Sequence, residues 1–279
     1  MRGEWIRKRV LILVKTYPNP SERHREIVCT AGLDVETGKL IRLFPIPFRM
    51  LANDSKFQKW QFVEVDVRKA SDSRVESYQV REDSLESGEL MGTEGDGWQR
   101  RWSYIQHLIS PSLEAIEMMP LEQRPSLAII KPEDCTMSIV PHKRPTYNEK
   151  ERRKLMGVIG HDTLFGDFSK HIQLLEKIPL KFRYHFRYGA SADSKLYTAF
   201  FEDWEVGEAW RKWRDLYPDP EVLKSQIIKR FLEMPRARDS LFLAIGTHSQ
   251  YRHQWLAIGQ FQPSLGQRSI TSQLSLPLT

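Results

Sequence analysis

One stretch of the chain gathers charges in a way that suits phosphate chemistry: Lys195-Leu196-Tyr197-Thr198-Ala199-Phe200-Phe201-Glu202-Asp203-Trp204-Glu205. Its apolar, aromatic middle reads as a strand that delivers carboxylates to the start of a helix. Two acids and a lysine, here Asp203, Glu205 and Lys195, can hold a divalent metal such as Mg or Mn and polarise a phosphate, as a metal-dependent nuclease requires. The same residues also suit a plain helix start. Asp before Trp204 and Glu in the first turn would satisfy free amides and complement the helix dipole. Elsewhere the metal signal is thin. His161, Asp162, Asp167 and His171 match no familiar ligand spacing. Gly157-Val158-Ile159-Gly160 has neither the Lys-Ser/Thr of a phosphate loop nor the glycine pattern of a dinucleotide fingerprint, which argues against ATP hydrolysis and NAD chemistry.

A second set of residues could touch phosphates without catalysing anything. Lys15 precedes Tyr17; Arg42 and Arg49 flank Phe44 and Phe48; Lys56 and Lys59 flank Phe57 and precede Trp60; Arg100 and Arg101 lie between Trp98 and Trp102. Lys143-Arg144 sits between two prolines. Cations meet phosphates and flat rings meet unstacked bases, so this mixture suits single strands. The alternative is that the rings are core and the cations solvate its rim.

Positioning these residues falls to two regions. Up to about residue 70 the pattern is β, with short β-branched runs at Val10–Val14, Ile27–Ala31, Leu40–Phe44 and Phe62–Val67. Thr37-Gly38 supplies the turn of a hairpin. A small barrel or curved sheet is expected. Residues 71–97 are rich in Ser, Asp, Glu and Gly and read as a mobile connection or a long excursion from the sheet. Apolar residues 98, 102, 105, 108 and 109 keep helical spacing before Pro111. A further strand fits Leu127–Ile130. Prolines 141 and 145 mark the boundary of a mixed α/β region, which opens on Thr146-Tyr147-Asn148-Glu149, the spacing of a capping box. Its strands are expected at Leu180–Arg187, Leu196–Phe201, Leu241–Ile245 and Trp255–Phe261. One helix carries Val206, Trp210, Trp213 and Tyr217, and another starts at Asp219-Pro220-Glu221. The expected organisation is α+β: a β-rich part over 1–145, a mixed α/β part over 146–261, and a flexible tail over 262–279.

Composition bounds the partners. The 279 residues carry 42 Lys and Arg against 36 Asp and Glu, a net +6 that favours an anionic partner. Mean hydropathy is -0.51, and no apolar run reaches the length of a membrane span. The basic N-terminus lacks a signal-peptide core, so a cytoplasmic, nucleoid-associated protein without a membrane partner is expected. The two cysteines, Cys29 and Cys135, have no paired-ligand spacing.

Beyond Phe261 the chain turns polar and acid-free, with isolated leucines at 274, 276 and 278. Exposed leucines in such a segment imply a receiver. Gln273-Leu274-Ser275-Leu276-Pro277-Leu278 resembles the clamp-binding hexapeptide shared by bacterial replication and repair proteins, in the form carried by the DnaA-related regulatory inactivator. The resemblance covers these six residues alone. It implies that Gln273 docks in a polar subsite of the DNA polymerase III β sliding clamp while Leu276 and Leu278 fill an apolar pocket, with Leu274 and Pro277 shaping the peptide. The sequence thus leads to an expectation: a DNA-associated factor recruited to replicating or repaired DNA, in genome maintenance, mobile-element biology or phage defence. A metal-dependent nuclease and a protein regulator of replication without DNA contact are the alternatives.

Overall fold

The structure, a computed structural model, describes residues 3–21, 25–72, 74–95, 97–156, 175–189, 194–248 and 251–264. The chain opens with β1 (Ile6–Lys15), β2 (Asn19–Ser21), β3 (Arg25–Asp34), β4 (Lys39–Ile46), β5 (Gln61–Lys69), β6 (Ser77–Val80) and β7 (Glu86–Leu90). Five of these, in the order β1-β3-β4-β6-β5, form a closed barrel, because β5 also pairs β1 with Val63 opposite Val10. Strand β2 extends β3 and β7 extends β5. The β3–β4 hairpin turns at Gly38, whose φ of 66° is the left-handed conformation glycine adopts without strain.

Helices α1 (Gly97–Ile105) and α2 (Leu113–Met118) lead to β8 (Leu127–Ile130), β9 (Glu133–Pro141), α3 (Glu149–Met156), β10 (Leu180–Arg187) and β11 (Leu196–Phe201). The chain continues through α4 (Trp204–Trp213), α5 (Pro220–Ile228), α6 (Met234–Ala237), β12 (Phe242–Thr247) and β13 (Trp255–Phe261). The second sheet has the order β8-β12-β13-β11-β10-β9. Only its β11–β13 pair is parallel.

The apolar run of β1 has a specific cause. Val10 and Ile12 point into the barrel against Ile41, Val63 and Val65. Leu11 and Leu13 point outward, onto Leu127, Ile129, Phe242, Ala244 and Ile258 of the second sheet. A strand buried on both faces reads as a continuous rather than alternating run, and each such side chain contributes roughly 1.5–3 kcal/mol of burial. On the opposite face of the second sheet, Phe182, Tyr184, Phe186 and Phe201 pack against α2, α4 and α5 through Leu113, Trp210 and Ile227. The barrel and α1 cover β8, β12 and β13 on their side and reach β11 at Phe200. The same face of β9, β10 and β11 is left half-exposed, with Thr198 and Leu196 open to solvent.

The expected strands and helix starts are present. Asp203 caps α4, and Asp219 caps α5 with Pro220 in its first turn. Three details differ from the sequence reading. Residues 71–97 are not all connection: β6 and β7 belong to the barrel sheet. Their polar composition hid them, yet Val80, Leu85 and Met91 are buried and anchor them. The second sheet begins at β8 and takes in β9, so the break at Pro141–Pro145 is a loop within that unit rather than the boundary at 145. Proline-rich loops and linkers look alike in sequence. The capping box sits two residues later than expected: Asn148 Oδ1 accepts from the Glu151 N–H and Glu151 Oε2 accepts from the Asn148 N–H, both at 2.8 Å. No helix among the described residues is long and apolar enough to cross a membrane.

Candidate nucleic-acid interface

Asp203 is fully buried and both its oxygens are engaged. Oδ1 accepts from the Glu205 N–H at 3.0 Å, while Oδ2 accepts from Lys59 Nζ at 2.9 Å and the Gln260 N–H at 3.0 Å. Lys59 Nζ also stands 3.0 Å from Glu205 Oε1. Burial opposes the Lys59 charge, but Asp203 and Glu205 outweigh it and hold the ammonium well above the ordinary lysine range. Burial pushes the Asp203 carboxyl up against the pull of Lys59. Glu205, opposed by its own desolvation, is brought down by Lys59. This is a joint, tying the Lys59 segment of the barrel to α4 and β13. Lys195 lies at the far end of β11, exposed, with its Nζ 3.0 Å from Glu117. The structure therefore does not bring Lys195 to Asp203 and Glu205. Among the described residues no group of three His, Cys, Asp or Glu is arranged to hold a metal ion. His161, Asp162, Asp167 and His171 lie outside the described residues, as do Gln273, Leu274, Leu276, Pro277 and Leu278.

The basic residues of the N-terminal part separate into buried and exposed. Arg42 is 3% exposed, donating to Cys29 Sγ at 3.0 Å and to the Ser126 carbonyl at 3.2 Å; with Lys59 it is withdrawn from any surface. Arg49 Nη1 donates to both oxygens of Glu26 at 2.8 Å. Lys15 Nζ sits over the rings of Phe48 at 4.0 Å and Trp204 at 4.5 Å; burial, then the Lys59 charge, pulls it down to about 8. Lys56 donates to Asn53, and Arg100 to Glu89 at 2.6 Å on the surface. Arg101 lies over Trp60 and Trp98 and donates to the Met91 carbonyl. Phe48, Phe57 and Trp60 are core and serve packing, while Phe44 is exposed.

Lys143 and Arg144 are different. They line a cleft of about 950 Å³ where the barrel meets the open edge of the second sheet. Tyr17 and Pro18, which follow β1, form one wall; the end of β9, the 141–144 loop and Tyr147 form another; Lys177, Lys181, Arg183, Phe200 and Glu202 line the floor. Tyr17 is fixed there: its N–H donates to the Glu202 carbonyl and its hydroxyl to the Glu176 carbonyl, both at 2.9 Å. Its ring lies so close on α4 that a Cβ at Gly207 would stand 2.2 Å from Tyr17 Cδ2. Lys177 pairs Glu151 at 3.2 Å. Among the described residues, Lys143, Arg144, Lys181 and Arg183 stand in no ion pair with a carboxylate. Lys181 and Arg183 instead lie over the Phe200 ring at 4.5 and 4.8 Å, and the Arg183 Nε is buried with no acceptor among the described residues.

The field of this cleft registers on its titratable groups. Burial lowers the His142 imidazole, and the Lys181 and Lys177 charges lower it further. Burial raises the Glu202 carboxyl against the pull of Lys181. Its geometry follows from β10, Leu-Lys-Phe-Arg-Tyr-His-Phe-Arg. Phe182, Tyr184 and Phe186 face the helices, so Lys181, Arg183, His185 and Arg187 rise on the half-exposed face, successive ones about 7 Å apart. Sequence reasoning placed the strand and missed the cations. The signal was present as strict alternation of basic and aromatic residues, but alternation alone does not say which face is left open.

Two family models match the chain. Residues 6–107, the barrel with α1, match a family described as Domain of unknown function (DUF8758). Residues 112–277 match one described as Domain of unknown function (DUF8757). No curated protein matches the chain. The junction between the two matches falls just ahead of α2, which agrees with the second unit beginning before β8. The second match spans more than half of the sequence, and the chain belongs to the DUF8757 family.

Proposed function

We propose that the protein binds single-stranded nucleic acid, DNA in the first place, in the cleft at the junction of barrel and second sheet. The observation that carries this reading is a set of cations that stand in no direct ion pair among the described residues, Lys143, Arg144, Lys181 and Arg183, ranged around the exposed edges of Tyr17, Tyr147 and Phe200 in one open concavity. Cations neutralise phosphates and release counterions, while ring faces accept unstacked bases whatever their identity. A structural salt-bridge network would have supplied an acid for each cation. The terminal hexapeptide then acts as an address, recruiting the protein to the β sliding clamp on replicating or repaired DNA.

Fluorescence anisotropy tests the binding reading. A labelled single-stranded oligonucleotide is expected to bind saturably at low salt and more tightly than the same length of duplex; no binding at 50 mM salt, a condition at which phosphate contacts are strong, would remove the reading. The address is tested separately by surface capture on immobilised β clamp. Gln273→Ala with Leu276→Ala is expected to abolish retention, and equal retention of both proteins would sink it.

A further inference from the structure

We propose that Ser138 and His185 form a nucleophile–base pair that cleaves a phosphodiester of the bound strand without a metal ion; this rests on the nucleic-acid reading above. Ser138 Oγ stands 2.8 Å from His185 Nε2, and His185 Nδ1 stands 3.0 Å from Thr198 Oγ1. The three side chains come from the adjacent strands β9, β10 and β11, on the face that the barrel leaves half-exposed. With Nδ1–H donating to Thr198, Nε2 is left to accept from the serine hydroxyl, which is the arrangement that activates a weak nucleophile. Thr198 is then a positioning residue, holding the imidazole with Nε2 toward Ser138.

The surroundings supply what a phosphate needs. Arg183 is directly opposite Ser138 across the β9–β10 ladder, and its Nε is buried with no acceptor among the described residues. Lys181 lies two residues away on the same face. Ser138 Oγ attacks phosphorus as its proton passes to His185 Nε2. The Oγ–P bond forms, the P–O bond to the neighbouring nucleotide breaks, and the departing oxygen takes the proton from His185. Water then attacks the phosphoserine, giving its proton to Nε2, which returns it to Oγ as the Oγ–P bond breaks. One strand end carries the phosphate and the other a hydroxyl. Arg183 and Lys181 hold the non-bridging oxygens as charge builds on them.

The test uses the full chain in EDTA, with a labelled single-stranded oligonucleotide as substrate and diisopropyl fluorophosphate as a probe of the serine. The expected result is slow strand cleavage and a covalent probe adduct that peptide mass spectrometry maps to Ser138. His185→Ala should slow cleavage by about 10²–10⁴-fold, and Ser138→Ala should abolish it. Wild-type protein that binds the oligonucleotide by anisotropy yet gives neither cleavage nor adduct overturns the proposal and leaves the binding reading standing. Failure to bind the oligonucleotide removes the binding reading and the proposal together. Cleavage that survives Ser138→Ala also overturns it.

Discussion

Replacing Lys181 and Arg183 together by alanine isolates the electrostatic core of the cleft. Neither residue stands in an ion pair among the described residues, so their removal breaks no direct ion pair; Glu202 loses only the longer-range pull of Lys181. If Lys143, Arg144, Lys181 and Arg183 each neutralise one phosphate, log K falls with log salt at a slope of about -2.8 for a single strand, since each contact contributes roughly -0.7. The double variant loses two contacts and its slope becomes about -1.4. The two lines meet near 1 M salt, so one decade lower, at 0.1 M, the variant binds about 25-fold more weakly, or about 2 kcal/mol. Anisotropy titrations of one labelled oligonucleotide from 0.05 to 0.5 M salt measure both quantities. Parallel lines, or equal affinity at the low-salt end, would show that the strand lies elsewhere and refute the reasoning.

Other consequences follow from the same geometry. Lys59→Met leaves Asp203 buried without its cation and should cost about 3–5 kcal/mol, read as a lower urea midpoint; the pair then matters for joining the barrel to the second sheet rather than for catalysis. Gly207→Val forces Tyr17 off α4, because even a Cβ would stand 2.2 Å from its ring; oligonucleotide affinity should fall while the unfolding free energy from urea titration drops by about 1–3 kcal/mol, the cost of overpacking. Burial holds the Glu202 carboxyl above its ordinary value, so it is neutralised at a higher pH than a solvated glutamate as pH falls. The cleft then gains positive charge and binds the anionic strand more tightly. His142, lowered by burial and by Lys181, adds charge of the same sign when it protonates. Glu202→Gln should raise affinity at pH 7 and leave only the His142 step, seen by anisotropy across pH 4–8; an unchanged pH profile would discard the role of Glu202.

How much of this was legible beforehand varies with the range of the interactions concerned. Strands β1, β3, β4, β5, β10, β11, β12 and β13 and the caps of α4 and α5 follow from local patterns: β-branched runs, a Gly-marked turn, and Asp at helix starts whose amides need an acceptor. The two short barrel strands β6 and β7 were missed because single buried residues, Val80 and Leu85, hold polar segments in place, and a window of composition does not register a lone anchor.

The candidate site was decided almost wholly by tertiary structure. In sequence, Arg42 and Lys59 stand out as phosphate contacts and Lys181 does not. The fold buries Arg42 against Ser126 and Lys59 against Asp203, and it leaves Lys181 over Phe200 at the rim of a cleft. The Asp203–Glu205 pair reads as a helix cap, with metal ligation as the alternative, and the ammonium that the fold sets against it arrives from 144 residues away. What the sequence determined by itself is the alternation of β10, aromatic inward and basic outward, because the period of a strand is a covalent property of the backbone. Which outward face remains uncovered depends on where a separate barrel docks, and that is set by the apolar outer face of β1 meeting β8, β12 and β13, a match no local pattern encodes.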